Sequence, residues 1–373
     1  MFVIRFAARN FRNLEEEEIF PCEEVNVIYG NNAQGKTNLL EGMWLFTGGH
    51  SFRGAKDAEL PRIDPDTGKN MSGTALAMDF FSEEREQSAV LQIENGRRST
   101  DINGVKKDAG TPLVGKVRAV IFSPEHLLLV KEGPARRRNY LDTALCQLKP
   151  SYAPLLTAYR RALMQRNALL KDISKSAQLS DTLAVWDARI ARLGAQVIKE
   201  RISFTDRVAP KIAGIYEGIS RGREKLSVRY FPSLKGGDTL EGIEELFLRE
   251  LSRTVSSDAR TGFTSVGPHR DDLEIEIDGI SARSYGSQGQ QRSSVLAMKL
   301  AEAQILTELS GEPPIVLLDD VMSELDRGRQ DYLLNHLKGQ QVFITCCSPD
   351  TVELMENGMR FRVECGAVYP EEF

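Results

Sequence analysis

The chain has 373 residues, of which 41% are hydrophobic and 27% charged, with a formal net charge of −5. That composition fits a globular protein of two or three lobes, and its negative balance gives no global attraction to nucleic acid or anionic lipid. Five cysteines without a C-x-x-C pair argue against a disulfide framework and a cysteine zinc site, and a reducing cytoplasm is the simplest compartment. The N-terminal stretch MFVIRFAARNFRNLEEEE is too charged for a signal peptide, and no run approaches the roughly 18 apolar residues of a membrane span.

In chain order, Phe2 to Ala7 and Glu23 to Tyr29 predict two strands. A glycine-rich loop, GNNAQGKT, runs from Gly30 to Thr37 and leads into a helical pattern with Leu39, Leu40, Met43, Trp44 and Leu45. Residues 74–121 hold short alternating runs, TALAMDF, AVLQIEN and RAVIF, broken by turn signals at Asn95-Gly96 and Asn103-Gly104. They predict an antiparallel sheet beside the nucleotide core. Residues 134–220 are mostly helix formers. Leu156, Tyr159, Leu163, Leu170 and Ile173 fall at heptad positions that Arg166 interrupts, and Leu183, Trp186, Ile190, Leu193 and Val197 repeat at alternating spacings of 3 and 4. Around the polar stretch from Ser174 to Asp181 this predicts two antiparallel helices of about 20 residues, each about 30 Å long. They form either a projecting coiled-coil-like arm or a helical domain packed on its own core. From Thr264 the β pattern returns with LEIEIDG. A helix from Gln290 to Ser310, the strand IVLLDD, a helix after Glu324 and the strand QVFIT follow. That alternation implies a parallel sheet with helices on both faces.

Gly30 to Thr37 fits G-x-x-x-x-G-K-[ST] between a strand and a helix, the context in which the pattern binds a nucleoside triphosphate. Backbone amides of Gly30, Asn31, Asn32, Ala33, Gln34 and Gly35 would converge on phosphate at a helix N-terminus. Lys36 would reach the β- and γ-phosphates and act catalytically, while the Thr37 hydroxyl ligates Mg²⁺. In IVLLDD, Asp319 ends a buried strand and is the second candidate metal ligand. Asp320 is the candidate that polarises the attacking water. Lys36 and Asp319 stand 283 residues apart (319 minus 36), so the nucleotide core is expected to be assembled from both ends of the chain around a large insertion.

Ser287-Gln288-Gly289-Gln290 precedes a helix and resembles the S-G-G-Q core of ABC ATPases, which binds the γ-phosphate held by the opposite subunit. Ser323-Glu324-Leu325-Asp326 is similar to the D-loop of the same class. With NFRNL at Asn10 to Leu14, FSPEHLLLVKEGPARRRNYLD at Phe122 to Asp142, and SVGPHRDDLEI at Ser265 to Ile275, nearly the whole chain resembles the RecF family of DNA replication and repair proteins. That resemblance implies an α/β fold: an ABC-type P-loop ATPase head assembled from N- and C-terminal segments, with an inserted, mostly helical second lobe. The expected division is residues 1–124, 125–258 and 259–373. The resemblance puts Arg12 near the nucleotide. It implies ATP with Mg²⁺ as cofactors and dimerisation on ATP binding. It further implies weak, DNA-stimulated ATP hydrolysis acting as a switch, binding to duplex or gapped DNA with little sequence specificity, and work with RecR and RecO to load RecA.

Two alternatives differ by class. The ATPase subunit of an ABC transporter would carry a histidine after the last core strand, where this chain has Cys346, Cys347 and Ser348, and a shorter helical insertion. A structural DNA-bridging ATPase of the SMC type would need arms of hundreds of residues. Asp320 in place of the usual glutamate, and the missing histidine, both fit slow hydrolysis. His269 reads as structural. The basic clusters Arg136-Arg137-Arg138, Arg160-Arg161, Arg97-Arg98 and Lys106-Lys107, with Arg53, are candidates for phosphate contact or for internal ion pairs.

Overall fold

The computed structural model describes residues 1–107, 113–172, 178–348 and 358–371. The chain divides into two compact units. The first comprises Met1–Leu128, Gly218–Arg221 and Arg292–Phe373, and the second Leu129–Glu217 and Gly222–Gln291.

The first unit is built on two six-stranded sheets. One is antiparallel, with Leu14–Ile19, Phe2–Phe11, Thr74–Ser82, Arg85–Glu94, Arg97–Ile102 and Val105–Lys107 in spatial order. Thr74–Ser82 alternates fully buried and half-buried residues, as a strand with one face on a core does. The other sheet runs Ala367–Glu371, Met359–Glu364, Val25–Tyr29, Val342–Cys346, Ile315–Asp319 and Ala119–Phe122. All its neighbours are parallel except the edge hairpin of Met359–Glu364 with Ala367–Glu371. Its central strands, VFITC and IVLLD, are buried along their whole length, as strands covered on both faces must be.

The helix Lys36–Leu45 packs against strands of both sheets, so almost every residue in it is buried. Gly42 makes the close approach possible: a Cβ there would stand 2.7 Å from Cζ of Phe6. A mid-helix glycine costs about 1 kcal/mol relative to alanine, and burial of Leu39, Leu40, Met43 and Trp44 in the shared core outweighs it. The run RAVIF departs from the expected arrangement. Ala119–Phe122 joins the parallel sheet beside Ile315–Asp319, because a short apolar run fits either sheet and tertiary contacts decide.

The second unit carries the helices Pro134–Leu148, Tyr152–Asp172, Gln178–Ser220 and Leu240–Thr261, and a three-stranded sheet of Ile280–Ser281, Asp272–Ile277 and Leu226–Phe231. Asp272–Ile277, read with the C-terminal segment, pairs instead with Leu226–Phe231. The second helix of the expected pair is 43 residues long and continues past Pro210, about 64 Å at helical rise. Ile173 and the first half of the stretch from Ser174 to Asp181 lie outside the described residues.

Arg166, the break in the heptad, is fully buried. It donates to Asp187 Oδ1 at 2.6 Å, Asp258 Oδ2 at 2.8 Å and Thr264 Oγ1 at 3.0 Å. Three helices therefore meet on one guanidinium, and Gly194 lies against Phe247 and Tyr159. This is a domain with its own core. A buried arginine is tolerated only with its carboxylates in place, since removing one partner of such a pair costs about 3–5 kcal/mol.

His269 packs, partly buried, against this core. Tyr159 Oη stands 2.7 Å from its Nδ1, and its Nε2 is 2.9 Å from Thr264 O. A carbonyl only accepts, so Nε2 carries the proton and Nδ1 accepts from the phenol. Burial, the largest cause, pulls the imidazole pKa down to about 4. The ring is neutral when folded but takes a proton below about pH 6.5 when unfolded. Its contribution to stability is thus full above that pH and is lost as pH falls toward 4. Denaturant unfolding followed on Trp186 should lose about 2 kcal/mol more between pH 7 and pH 5 in the wild type than in His269→Gln. Equal losses would contradict this assignment.

Candidate nucleotide site

The parallel strands end in register. Asp319 lies opposite Thr345, and Thr345 opposite Ile28, so the three stand side by side at the carboxyl ends of the sheet, the edge where open α/β sheets bind ligands. The glycine-rich loop leaves this edge. Gly30 and Gly35 take φ of 148° and 119°, and a Cβ on Gly30 would strike Val363 O. Ala33 adopts φ 64° without that freedom, and a non-glycine residue there stores about 1–3 kcal/mol. The loop is held from outside. Gln34 O accepts from Asn13 Nδ2 at 2.9 Å and from the Gly366 amide at 3.0 Å, and Gln34 Oε1 accepts from the Cys365 amide. The Cys347 thiol donates to Asn32 Oδ1 at 3.2 Å.

Lys36 is buried and its Nζ donates to Gly30 O and Asn31 O, at 2.5 and 2.9 Å. Thr37 Oγ1 donates to Asp319 Oδ1 at 2.7 Å, and Thr345 Oγ1 donates to the same oxygen at 2.9 Å. Burial raises the Asp319 pKa, the two hydroxyls oppose that shift, and neighbouring Asp320 adds to it. A hydroxyl and a desolvated carboxylate converging at a helix N-terminus form a donor set that suits a hard divalent cation. The residues present therefore fit Mg²⁺. Asp320 takes φ 51°, its amide donates to Thr345 Oγ1, and its Oδ1 accepts from Ser323 Oγ at 3.2 Å.

Arg12 occupies the turn between Phe2–Phe11 and Leu14–Ile19, at φ 57°. Its Nε and a terminal nitrogen donate to the two oxygens of Glu41, at 2.9 and 2.7 Å, and another nitrogen reaches Glu59 O at 3.0 Å. Glu41 is fully buried in the loop helix and also accepts from Ser51 Oγ. Asn38 accepts from Arg53 and donates to Asn13 Oδ1 at 2.7 Å. Sequence reading missed Glu41, Asn13, Asn38 and Thr345. A lone glutamate inside the apolar run LLEGMWL was a signal, because a buried carboxylate needs a cation.

Ser287, Gln288, Gly289 and Gln290 lie in the second unit at the start of the helix Gln288–Ser310. Ser287 Oγ accepts from the Gln290 amide at 3.2 Å, and Gln290 Oε1 accepts from the Ser287 amide at 2.8 Å. This reciprocal capping box leaves Ser287 and Gln288 exposed. In the first unit, Asp326 caps the helix Arg327–His336 and Glu324 pairs with Arg292. The basic clusters separate by environment. Arg137 is buried against Asp272, Arg138 donates to Asp271 O at 2.8 Å, and Arg98 pairs with Asp57, so these three are structural. Arg97, Lys106, Lys107, Arg136, Arg160 and Arg161 remain exposed.

Two sheets around a phosphate-loop helix, with an aspartate-terminated strand beside it and the inserted helical unit, define an ATPase head of the ABC type. The family model described as the RecF/RecN/SMC N-terminal domain matches residues 2–367. The DNA replication and repair protein RecF of Acetivibrio thermocellus is 39% identical over 374 residues, covering 99% of this chain and 100% of that one. RecF of Agathobacter rectalis is 40% identical over 365 residues, covering 98% and 96%. A solved structure of the recombination mediator protein RecF with ATP in the RecFOR pathway matches at a TM-score of 0.91 and 36% identity, over 100% of this chain and 98% of that one. An Smc head bound to the C-terminal winged-helix domain of ScpA, at a TM-score of 0.57 and 14% identity, shares the fold. The chain belongs to the RecF family of DNA replication and repair proteins.

Asp319 is costly where it stands. With its pKa raised in the fold, the ionised form opposes stability at neutral pH, and stability is gained as pH falls through the folded pKa toward the ordinary carboxylate range. Asp319→Asn keeps an acceptor for Thr37 and Thr345 and removes the charge. We expect a higher melting temperature at pH 7.5 for the ligand-free variant, with loss of Mg²⁺-dependent nucleotide binding. A lower melting temperature would contradict the burial argument.

Proposed function

We propose that this protein is an ATP-switched DNA clamp of recombinational repair. It binds ATP and Mg²⁺, dimerises, holds duplex or gapped DNA with little sequence specificity, and works in the cytoplasm with RecR and RecO to load RecA. The observation that carries this reading is the bond between Thr37 and Asp319, which joins the glycine-rich loop to the aspartate-terminated strand. The ATP-bound state of a RecF structure supports it. Among the described residues no helix is long and apolar enough to cross a membrane, and the family of the chain speaks against the transporter alternative.

Each chain residue has a role in this reading. Lys36 exchanges the carbonyls of Gly30 and Asn31 for phosphate oxygens. The amides from Gly30 to Gly35 and the helix N-terminus receive the remaining negative charge. Thr37 and Asp319 would hold Mg²⁺, which would supply positive charge against the phosphoryl oxygens when bound. Arg12, with Glu41 as its anchor, keeps the Arg12-Asn13 turn against the loop. Ser287 and the amides after it complete the γ-phosphate shell of a second copy, which gives two equivalent sites in a two-fold dimer. ATP then favours the dimer because only the γ-phosphate contacts both chains. Asp320 orients water, and its short side chain keeps hydrolysis slow.

Lys36→Ala removes charged hydrogen bonds, worth about 1.5–3 kcal/mol each, so ATP affinity of the monomer should fall about 10- to 100-fold in calorimetry. Wild-type affinity would contradict the role given to Lys36. Ser287→Arg should leave ATP binding by the monomer intact and abolish ATP-dependent dimerisation in light scattering. A variant that still dimerises would refute completion in trans.

A further inference from the structure

Val342–Cys346 lies between the strand that leads into the glycine-rich loop and the strand that ends in Asp319. All five of its residues are buried, and Val342, Phe343, Ile344 and Cys346 are apolar. The exception is Thr345, which has no solvent exposure. Valine would fill the same place without burying a hydroxyl, a group that costs stability unless it is hydrogen-bonded. The Thr345 hydroxyl is bonded twice, each time to an aspartate. Its Oγ1 accepts from the Asp320 amide and donates to Asp319 Oδ1, both at 2.9 Å. An amide only donates and a hydroxyl has one proton, so the amide leaves that proton to the carboxylate. Asp319 Oδ1 also accepts from Thr37, whereas among the described residues its Oδ2 accepts from none. One oxygen of the carboxylate is tied to the fold and the other is not.

We propose that Thr345 is a positioning residue for the divalent cation that accompanies the nucleotide: its hydroxyl decides which oxygen of Asp319 is held by the protein and which is left to the cation. The inference rests on the Mg²⁺ and nucleotide reading given above. Carboxylates that ligate a metal are oriented by hydrogen bonds from groups that do not themselves touch it, and losing such a group lowers metal affinity about 10- to 100-fold. Thr345 has that relation to Asp319. The parallel register sets the two residues side by side, and the Asp320 amide turns the hydroxyl proton toward Oδ1. Without the hydroxyl, Thr37 alone holds Asp319, and the carboxylate is free to turn about its last torsion. Both bonds of the Thr345 hydroxyl go to the aspartates and neither goes to the loop or to Lys36. Its removal therefore leaves the groups that would meet the phosphates in place, and the loss falls on the metal's share of binding.

The test uses the full chain, a fluorescent ATP analogue and a titration with Mg²⁺. Wild type should bind the analogue more tightly in Mg²⁺ than in EDTA. Thr345→Val should match wild type in EDTA and need about tenfold more Mg²⁺ to reach the tighter binding. Thr345→Ser keeps both the donor and the acceptor and should restore the wild-type Mg²⁺ requirement. Three results would each overturn the positioning role: a wild-type requirement in Thr345→Val, an equal loss of affinity in EDTA and in Mg²⁺, or a Thr345→Ser chain as impaired as Thr345→Val. Circular dichroism checks that Thr345→Val is folded; if it is not, Thr345→Ala enters the same titration with the same expected and contrary results. A wild type that fails to bind the analogue, or binds it equally with and without Mg²⁺, would instead overturn the nucleotide reading itself.

Discussion

One oxygen atom ties the two ends of this chain together. Asp319 Oδ1 accepts from Thr37 at the head of the loop helix and from Thr345 on the next strand. Those three residues come from segments that begin and end the sequence, and the parallel register of Val25–Tyr29, Val342–Cys346 and Ile315–Asp319 brings them to one level. The cost is a carboxylate held in a desolvated place, visible as its raised pKa. A desolvated carboxylate is not the most stable choice for the fold, and ionisable groups perturbed in this way cluster at functional positions.

The surroundings of the loop follow from the same constraint. A helix wedged between two sheets has little room for polar side chains, yet Glu41 lies in its middle. It is tolerated because Arg12 meets it with two hydrogen bonds. That ion pair fixes a turn in which Arg12 itself is strained, and the next residue, Asn13, holds Gln34 in the loop. The backbone strain at Ala33, Arg12 and Asp320 is gathered around one place, as expected where geometry is held for a ligand.

Much of this was legible in the sequence, for a physical reason. The loop before Lys36–Leu45, the strand end at Asp319 and the helix start at Ser287 are local patterns, so their places in the fold could be read from nearby residues alone. Pairings made in three dimensions were not legible. Arg166 looked like a flaw in an apolar stripe, and it is the ion-paired centre of three helices. The arginines at 137 and 98 looked like candidates for DNA contact and are interior partners of aspartates. RAVIF could have joined either sheet, because burial on both faces erases the alternation that distinguishes them. The length of Gln178–Ser220 was missed because heptad spacing covers only its first half.

In the proposed dimer each nucleotide site takes its loop from one copy and its Ser287 motif from another. Mixing two defective variants tests it most directly. Neither Lys36→Ala nor Ser287→Arg should associate alone with ATP. In the mixture, one loop and one Ser287 motif remain intact on opposite chains and form one complete site. Light scattering of the mixture should therefore report ATP-dependent dimers that neither variant forms alone. A mixture that stays monomeric, with both variants folded and Ser287→Arg still binding ATP, would contradict the account.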